Sequence, residues 1–193
     1  ASTWCRANGY AVAALADLLR YMPYGHSARP QLIAQLQALL DRLLAFQTGS
    51  GLWRQTLDDA DSFEETSGSA LIAYALFTAL VEGWLPESYA TIAGRAWDGV
   101  AQHVNVAGNG NVTNVCPPLP PDAPAADIAS APPLLNALDG FGPLMLAAAA
   151  GYSWQRRQEW LALPVRTRSF TRPAPADVEA YIGRLHETCE RAY

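Results

Sequence analysis

The sequence predicts an all-α domain built from pairs of antiparallel helices, on the basis of its composition and its hydrophobic pattern. The chain has 193 residues, of which 50% are hydrophobic and 16% are charged, as in a globular domain with a substantial core. Segments that are apolar all round alternate with segments that are apolar on one face only. No segment has the period-two alternation of β-branched residues that is typical of strands.

Six helices are predicted, in the order buried, amphipathic, buried, amphipathic, buried, amphipathic. The three buried helices are rich in small apolar residues and span residues 10–22, 67–81 and 134–150. The last of these is expected to be interrupted at residues 139–143, which read Asp-Gly-Phe-Gly-Pro. The three amphipathic helices have apolar residues at steps of three and four and span residues 29–47, 87–104 and 175–191. Each buried helix and the amphipathic helix after it are expected to form a hairpin.

This alternation is typical of an α/α toroid, in which an inner ring of helices lies inside an outer ring. Three hairpins are about half of the number that a closed double ring needs, and an open ring leaves apolar inner faces uncovered. We therefore expect residues 1–193 to form a single all-α domain that is half of a larger barrel.

Two long loops lead into buried helices, at residues 46–66 and 105–133, and both are expected to open on the same rim. Loops of more than about 12 residues are uncommon unless they are functional or disordered. The Pro-rich part of the second loop, Pro117–Pro133, is interpreted either as part of a functional rim or as a mobile flap.

The charge pattern argues against two classes of partner. The net charge is −5, all 13 cationic side chains are arginine, and they form no basic run, so no nucleic acid partner is expected. No apolar stretch reaches the roughly 18–20 residues of a membrane span, so we expect no membrane partner.

The cysteines and the chain start bear on the compartment. Cys5, Cys116 and Cys189 lie far apart, which predicts neither a zinc site nor a dense disulfide framework and leaves open one cystine with one free thiol. The chain begins at Ala1 with no signal-peptide pattern, and we expect a start made by processing or cutting. The sequon at Asn111 matters only in a secreted chain. It favours an extracellular over a cytoplasmic location.

The segment from Trp4 to Tyr10 places an aromatic ring, a guanidinium and a carboxamide before the first buried helix. An aromatic face stacks on a pyranose ring, and the planar fork of Arg6 matches a carboxylate. A carboxylated sugar is one ligand that fits these groups. The alternative is that Trp4 is a core residue and Arg6 a surface cation.

A second candidate site contains five carboxylates within eight residues, namely Asp58, Asp59, Asp61, Glu64 and Glu65. Such a cluster supplies either a general acid or oxygen ligands for a hard cation. The alternative is structural, because Ser62 and Glu65 have the spacing of a capping box. We favour the capping role for Glu65 and expect no metal site.

Three segments, in this order, resemble motifs of glycoside hydrolase family 105, the unsaturated rhamnogalacturonyl hydrolases. Residues Trp4 to Tyr10 resemble W-x-R-G-N-G-W, residues Gly51 to Gln55 resemble G-L-W-x-Q, and residues Glu65 to Tyr74 resemble E-T-S-x-S-A-x-x-x-Y. The likeness extends over about Trp4 to Tyr152. The motifs are specific in combination and weak singly.

The resemblance implies that the chain is the second half of an (α/α)6 barrel. The implied activity is removal of a terminal 4,5-unsaturated uronic acid from pectin (rhamnogalacturonan) oligosaccharides by hydration of the double bond, with no metal and no cofactor. The family's proton donor is an Asp in the first half of the barrel. We therefore expect the catalytic Asp on a second polypeptide segment that completes the barrel. The alternative is that Glu65 or Asp58 is the acid within this chain.

The resemblance also implies substrate-binding roles for Trp4 and Arg6 beside the uronate, and for Asn8 and Trp53 in shaping the pocket. Ala7 and Tyr10 stand where the family has Gly and Trp, and the Pro-rich loop replaces a Gly-Thr turn, which leaves the substrate range open. The alternative function is a non-catalytic carbohydrate-binding or scaffold half-barrel, which either keeps Trp4 and Arg6 as a sugar-contact surface or buries its open edge in a homodimer.

Overall fold

The computed structural model describes residues 3–104, 108–120 and 122–162, and its helical architecture confirms the all-α class. The helices are α1 (Cys5–Tyr21), α2 (Arg29–Leu44), α3 (Thr66–Val81), α4 (Ala90–Gln102), α5 (Ala125–Ser130) and α6 (Leu138–Leu161). A short 3-10 turn at Glu87–Tyr89 precedes α4. The predicted sixth helix, residues 175–191, lies outside the described residues.

Helix α3 is the centre of the described fold. It packs against α1, α4 and α6, and every residue from Thr66 to Leu80 is buried. Helix α2 packs on α1, so that α1 with α2 and α3 with α4 are the first two predicted hairpins. A helix that is surrounded on all sides must be apolar all round, which is the pattern that its sequence shows.

Two glycines allow α1 and α3 to approach each other closely. A Cβ atom on Gly9 would lie 2.8 Å from the Gly68 carbonyl oxygen, and one on Gly68 would lie 2.6 Å from the Cys5 Sγ atom. Both distances are shorter than real Cβ contacts. The contact between these two helices therefore depends on the absence of both side chains.

The two long loops meet at the N-terminal ends of α1, α3 and α6, as predicted. The first contains a two-residue antiparallel pair, β1 (Trp53–Arg54) and β2 (Glu64–Glu65), which the sequence analysis did not predict. The second loop is joined to the start of α3, where the Thr66 amide donates to the Asn114 carbonyl oxygen at 2.9 Å. The rim is thus made of hydrogen-bonded loop backbone.

Two predicted helix boundaries are corrected by the structure. Helix α1 begins at Cys5 rather than at residue 10, so Arg6 lies within its first turn and Trp4 directly precedes it. Helix α6 begins at Leu138 rather than at residue 134, is continuous through Pro143, and ends at Leu161 rather than at residue 150. Pro143 lies in the second turn of α6 and is buried, and it removes one intrahelical hydrogen bond there.

The Pro-rich loop is packed against the rest of the fold over its described residues. It contains α5, and Ile128 of that helix joins Trp4 and Cys116 in a small buried cluster. Leu119 and Ala123 also pack against this cluster. These contacts favour the interpretation of Pro117–Pro133 as part of the rim over that of a flap. None of the helices in the described ranges is long and apolar enough to cross a membrane.

We expect Gly9→Ala to lower the free energy of unfolding by at least about 1 kcal/mol, because overpacking of the α1–α3 contact outweighs the better helix propensity of alanine. The measurement is urea unfolding followed by circular dichroism. Gly94→Ala in α4 is the matched control, since an added Cβ meets nothing within 4 Å there. The control should raise stability by about 0.5–1 kcal/mol. Equal effects of the two changes would contradict the close helix approach.

Candidate functional site

The candidate site is centred on the guanidinium of Arg6, where the N-terminal ends of α1, α3 and α6 come together. Its Nε atom donates to the Ser67 Oγ atom at 2.8 Å, and its Nη1 atom donates to the Asp139 Oδ2 atom at 3.2 Å. The carbonyl oxygens of Cys116 and Pro117 accept from Nη2 and Nη1. Arg6 is 3% exposed, so this cation is bound from several sides by the protein itself. The alternative interpretation of the sequence, in which Arg6 is a surface cation, is therefore wrong.

Glu65 is a buried N-cap of α3. Its carboxylate accepts from the Ser67 and Gly68 amides, from the Ser67 hydroxyl at 2.6 Å, and from the Cys116 amide at 3.0 Å. Its Oε1 atom lies 3.7 Å from the Arg6 Nη2 atom. An acid at a helix N-terminus also interacts favourably with the helix dipole. The carboxylate therefore joins α3 to the loop at Cys116.

The capping role predicted for Glu65 is confirmed, but the predicted capping box is wrong. Glu65 itself is the N-cap, whereas a capping box would place Ser62 there. The Ser62 hydroxyl instead accepts from the Thr56 amide at 3.0 Å within the loop. The chain enters α3 from strand β2, and so the helix begins later than the capping-box spacing requires.

Asp139 is the member of this cluster that reaches solvent. Its side chain is 40% exposed, and it lies in the first turn of α6. Arg6 therefore faces two carboxylates of different character. Glu65 is buried and held by several donors, while Asp139 is partly exposed and bound at 3.2 Å.

Two buried cysteines lie beside this cluster as free thiols. Burial raises the pKa of the Cys5 thiol well above its usual value, and nearby Glu65 raises it further. Burial also raises the pKa of the Cys116 thiol, against an opposing effect of Arg6. Both thiols are therefore protonated near neutral pH and are poor nucleophiles. The Gln55 Nε2 atom donates to the Cys116 Sγ atom at 2.8 Å, which fixes the loop on the other side.

The other predicted binding residues are placed differently from one another. Trp4 is 7% exposed and packs with Cys116 and Ile128, while the Asn8 Nδ2 atom donates to the Trp4 carbonyl oxygen at 2.8 Å. Trp53 is fully buried, and its indole N–H donates to the Leu43 carbonyl oxygen at 2.6 Å. Trp4, Arg6 and Asn8 are thus brought together, and Trp53 lies in the core. Their substrate-binding roles stay predictions.

The acidic loop does not act as one cluster. The Asp59 Oδ1 atom accepts from the Asp61 amide at 2.9 Å within a turn, and the Glu64 Oε2 atom accepts from the Ser50 hydroxyl at 2.8 Å. Within the described ranges, no group of three or more His, Cys, Asp or Glu side chains is arranged to hold a metal ion. Of the five acids, Glu65 contributes to the Arg6 cluster.

Sequence reasoning missed Asp139 as a site residue. It took the Asp-Gly-Phe-Gly-Pro sequence as a helix break, although an acid at the start of an apolar segment is also a signal of a helix N-terminus. Gly140 supports this start, because a Cβ there would lie 2.7 Å from the Val115 side chain. The close approach to the second loop brings Asp139 to Arg6.

Comparison with known proteins identifies relatives of this chain. Residues 1–149 match the model of Glycosyl Hydrolase Family 88. The chain is 42% identical over 85 residues to Protein Atu3128 of Agrobacterium fabrum, covering 42% of this chain and 36% of that protein. It is 40% identical over 75 residues to the unsaturated rhamnogalacturonyl hydrolase YesR of Bacillus subtilis, covering 39% of this chain and 22% of that enzyme.

The fold has a solved counterpart as well. A family 105 glycoside hydrolase of C. acetobutylicum matches with a TM-score of 0.72 and 31% identity, covering 81% of this chain and 46% of that one. The chain thus spans less than half the length of each of these relatives. Since the family model matches well over half of its residues, the chain belongs to the glycosyl hydrolase family 88 and 105 group and has the α/α toroid fold of that group.

Proposed function

We propose that this chain is part of an unsaturated glycuronyl hydrolase that acts on fragments of pectin. The observation that carries the proposal is the Arg6 cluster, in which a guanidinium lies at the joint N-terminal ends of three helices and has one exposed carboxylate partner. The family membership supports the same reaction class. The name of the B. subtilis relative supports rhamnogalacturonan fragments as the substrate.

The chemistry of this cluster suits an anionic sugar. An arginine presents a planar fork that matches a carboxylate, and helix N-termini add partial positive charge. The ends of α1, α3 and α6 meet at Arg6 through Ser67 and Asp139. A uronic acid carries the carboxylate that such a site recognises, whereas a neutral sugar has no carboxylate.

The proposed reaction is hydration of the C4=C5 double bond of the terminal uronic acid. An acid donates a proton to C4, the resulting cation at C5 takes up the oxygen of a water molecule, and that water loses a proton. The hemiketal formed at C5 then opens by breaking its bond to the ring oxygen, which leaves a ketone at C5 and a hemiacetal at C1. The hemiacetal breaks the glycosidic C1–O bond, so that C1 becomes an aldehyde and the rest of the oligosaccharide leaves as an alcohol. This reaction consumes one water and needs no electron transfer.

We assign the proton donor to an Asp on a second polypeptide segment that completes the barrel, rather than to Glu65. The contacts of Glu65 support this assignment, because its carboxylate is fully buried and already accepts hydrogen bonds from Ser67, Gly68 and Cys116. A general acid must reach the atom that it protonates within about 3 Å. Glu65 would have to leave its cap in order to do so.

The second candidate function is a non-catalytic, carbohydrate-binding half-barrel. It is favoured by the engagement of Glu65, the candidate acid within this chain, whose buried carboxylate accepts hydrogen bonds from Ser67, Gly68 and Cys116. Such a protein would bind an unsaturated oligosaccharide and leave it intact. Measurement of turnover distinguishes the two functions, because the hydrolase consumes the oligosaccharide and the half-barrel does not.

We expect the purified chain to consume an unsaturated rhamnogalacturonan disaccharide when the segment that supplies the acid is present. Hydration removes the conjugation of the C4=C5 bond with the carboxylate, so the ultraviolet absorbance of the substrate should fall. The measurement is a time course of that absorbance with the 193-residue chain, alone and with an added first-half segment of a family 105 relative.

The saturated disaccharide is the control, because it has no double bond to lose. A fall in absorbance with the chain alone would contradict the assignment of the acid to a second segment. Binding of the disaccharide, without turnover under either condition, would support the half-barrel alternative over the hydrolase.

We expect Glu65→Gln to lower the free energy of unfolding by roughly 2–4 kcal/mol, because the amide –NH₂ group would face donors that the carboxylate now satisfies. The measurement is urea unfolding. Glu64→Gln is the matched control, since Glu64 is the neighbouring acid, is only half-buried and accepts one hydrogen bond from Ser50. The control should change stability by less than about 1 kcal/mol.

The same pair of variants tests the role of Glu65 in turnover. A Glu65→Gln protein that keeps its full stability and loses all activity would identify Glu65 as the acid and would overturn the capping interpretation.

A further inference from the structure

Asp139 is the solvent-accessible carboxylate bound to Arg6, and the carbonyl oxygen of half-buried Pro117 accepts from the same Nη1 atom. The Ser67 hydroxyl and the Cys116 carbonyl oxygen belong to buried residues, and Glu65 is fully buried. The Asp139 carboxylate is 40% exposed and binds the Nη1 atom at 3.2 Å. A ligand that approaches Arg6 from outside therefore meets Asp139 first.

We propose that Asp139 is a specificity-determining residue that occupies the carboxylate position on Arg6 in the free protein, and that a uronate carboxylate takes its place on binding. The proposal deepens the proposed function, because its ligand is the uronic acid of that substrate. Asp139 then controls the affinity of this site for an anionic sugar.

The exchange is chemically balanced, because one carboxylate replaces another on the same N–H donor. Arg6 keeps its bonds to Ser67 and Cys116 throughout, so the guanidinium stays fixed while its exposed side changes partner. The Asp139 carboxylate and the uronate carboxylate compete for Arg6, and both are acceptors of the kind that a guanidinium prefers. No buried donor is left unpaired in either state.

The displaced Asp139 has a favourable place to remain. It lies in the first turn of α6, where a carboxylate interacts well with the helix N-terminus and is open to water. Displacement therefore costs less than it would for a buried acid such as Glu65.

The displaced Asp139 carboxylate also repels the carboxylate of the bound sugar. Once displaced, Asp139 is a negative charge beside a bound negative charge, and this lowers the affinity for a uronate without affecting a neutral sugar. The natural substrate must offset this effect through its remaining sugar units. Asp139 would thus lower the preference of this site for an anionic over a neutral sugar.

The test is Asp139→Asn in the full 193-residue chain, with galacturonate as the probe and galactose as its neutral counterpart. The amide oxygen can still accept from Arg6, so the change removes the charge and retains an acceptor. Titration calorimetry at low ionic strength should show galacturonate binding roughly fivefold to tenfold more tightly to the variant than to the wild type. The affinity for galactose should not change.

Asp127→Asn is the matched control, because Asp127 is an exposed acid in α5 of the neighbouring loop. It should leave both affinities unchanged. If Asp139→Asn does not fold, as judged by its melting temperature, Asp139→Ser takes its place, since serine is also favoured at a helix start and is uncharged.

Three outcomes would overturn the proposal. These are an unchanged affinity for galacturonate, no binding of galacturonate to either protein, or an equal gain for galacturonate and galactose, which would indicate a change of pocket shape rather than of charge. The probe is saturated and does not react. The result is therefore independent of the absorbance assay, and a chain that fails to turn over the disaccharide can still show the exchange at Arg6.

Discussion

The buried guanidinium of Arg6, with the Glu65 carboxylate beside it, is the interaction on which the rim of this fold depends. Removing a charge from water costs several kcal/mol unless the charge is fully hydrogen-bonded. Here the cost is offset by bonds that run from α1 to α3, to the second loop and to α6. Loss of one partner of such a pair typically costs about 3–5 kcal/mol, because the other is left buried and unpaired. The cluster therefore couples the positions of three helix ends.

The close approach of α1 and α3 makes this cluster possible. Gly9 and Gly68 lie at the contact, and the amide of Gly68 also donates to Glu65. A wider helix spacing would move Arg6 away from Ser67 and from the Glu65 carboxylate. The electrostatic contacts of the rim thus depend on the packing of small residues between α1 and α3. Neither is set independently of the other.

Local patterns were sufficient to predict much of the fold. The buried character of α3 and the amphipathic faces of α2 and α4 follow from periodicity within a single segment. The common rim of the two long loops follows from the order of the helices. The errors arose where a distant contact decided the outcome. The second loop packs against Gly140 at the start of α6, and the strand pair positions the start of α3 beyond Ser62. Neither contact can be predicted from the residues next to it in the sequence.

The candidate site shows the same division. The motif residues were predicted as one set, yet the structure gives them separate environments. Trp53 lies in the core with its indole bound to Leu43, and Glu65 caps a helix. A sequence motif records that residues occur together and does not say which of them faces a ligand, because burial depends on the whole fold.

The exposed side of the cluster is consequently the place where recognition and stability meet. Arg6 is too deeply held by Ser67 and Cys116 to move toward a ligand, so a ligand has to reach Arg6 through the position of Asp139. A fixed cation with an exchangeable carboxylate partner is pre-organised for binding, since no reorganisation of the guanidinium is needed. The buried bonds that stabilise the three helix ends are then the same bonds that fix the direction from which a carboxylate can be bound.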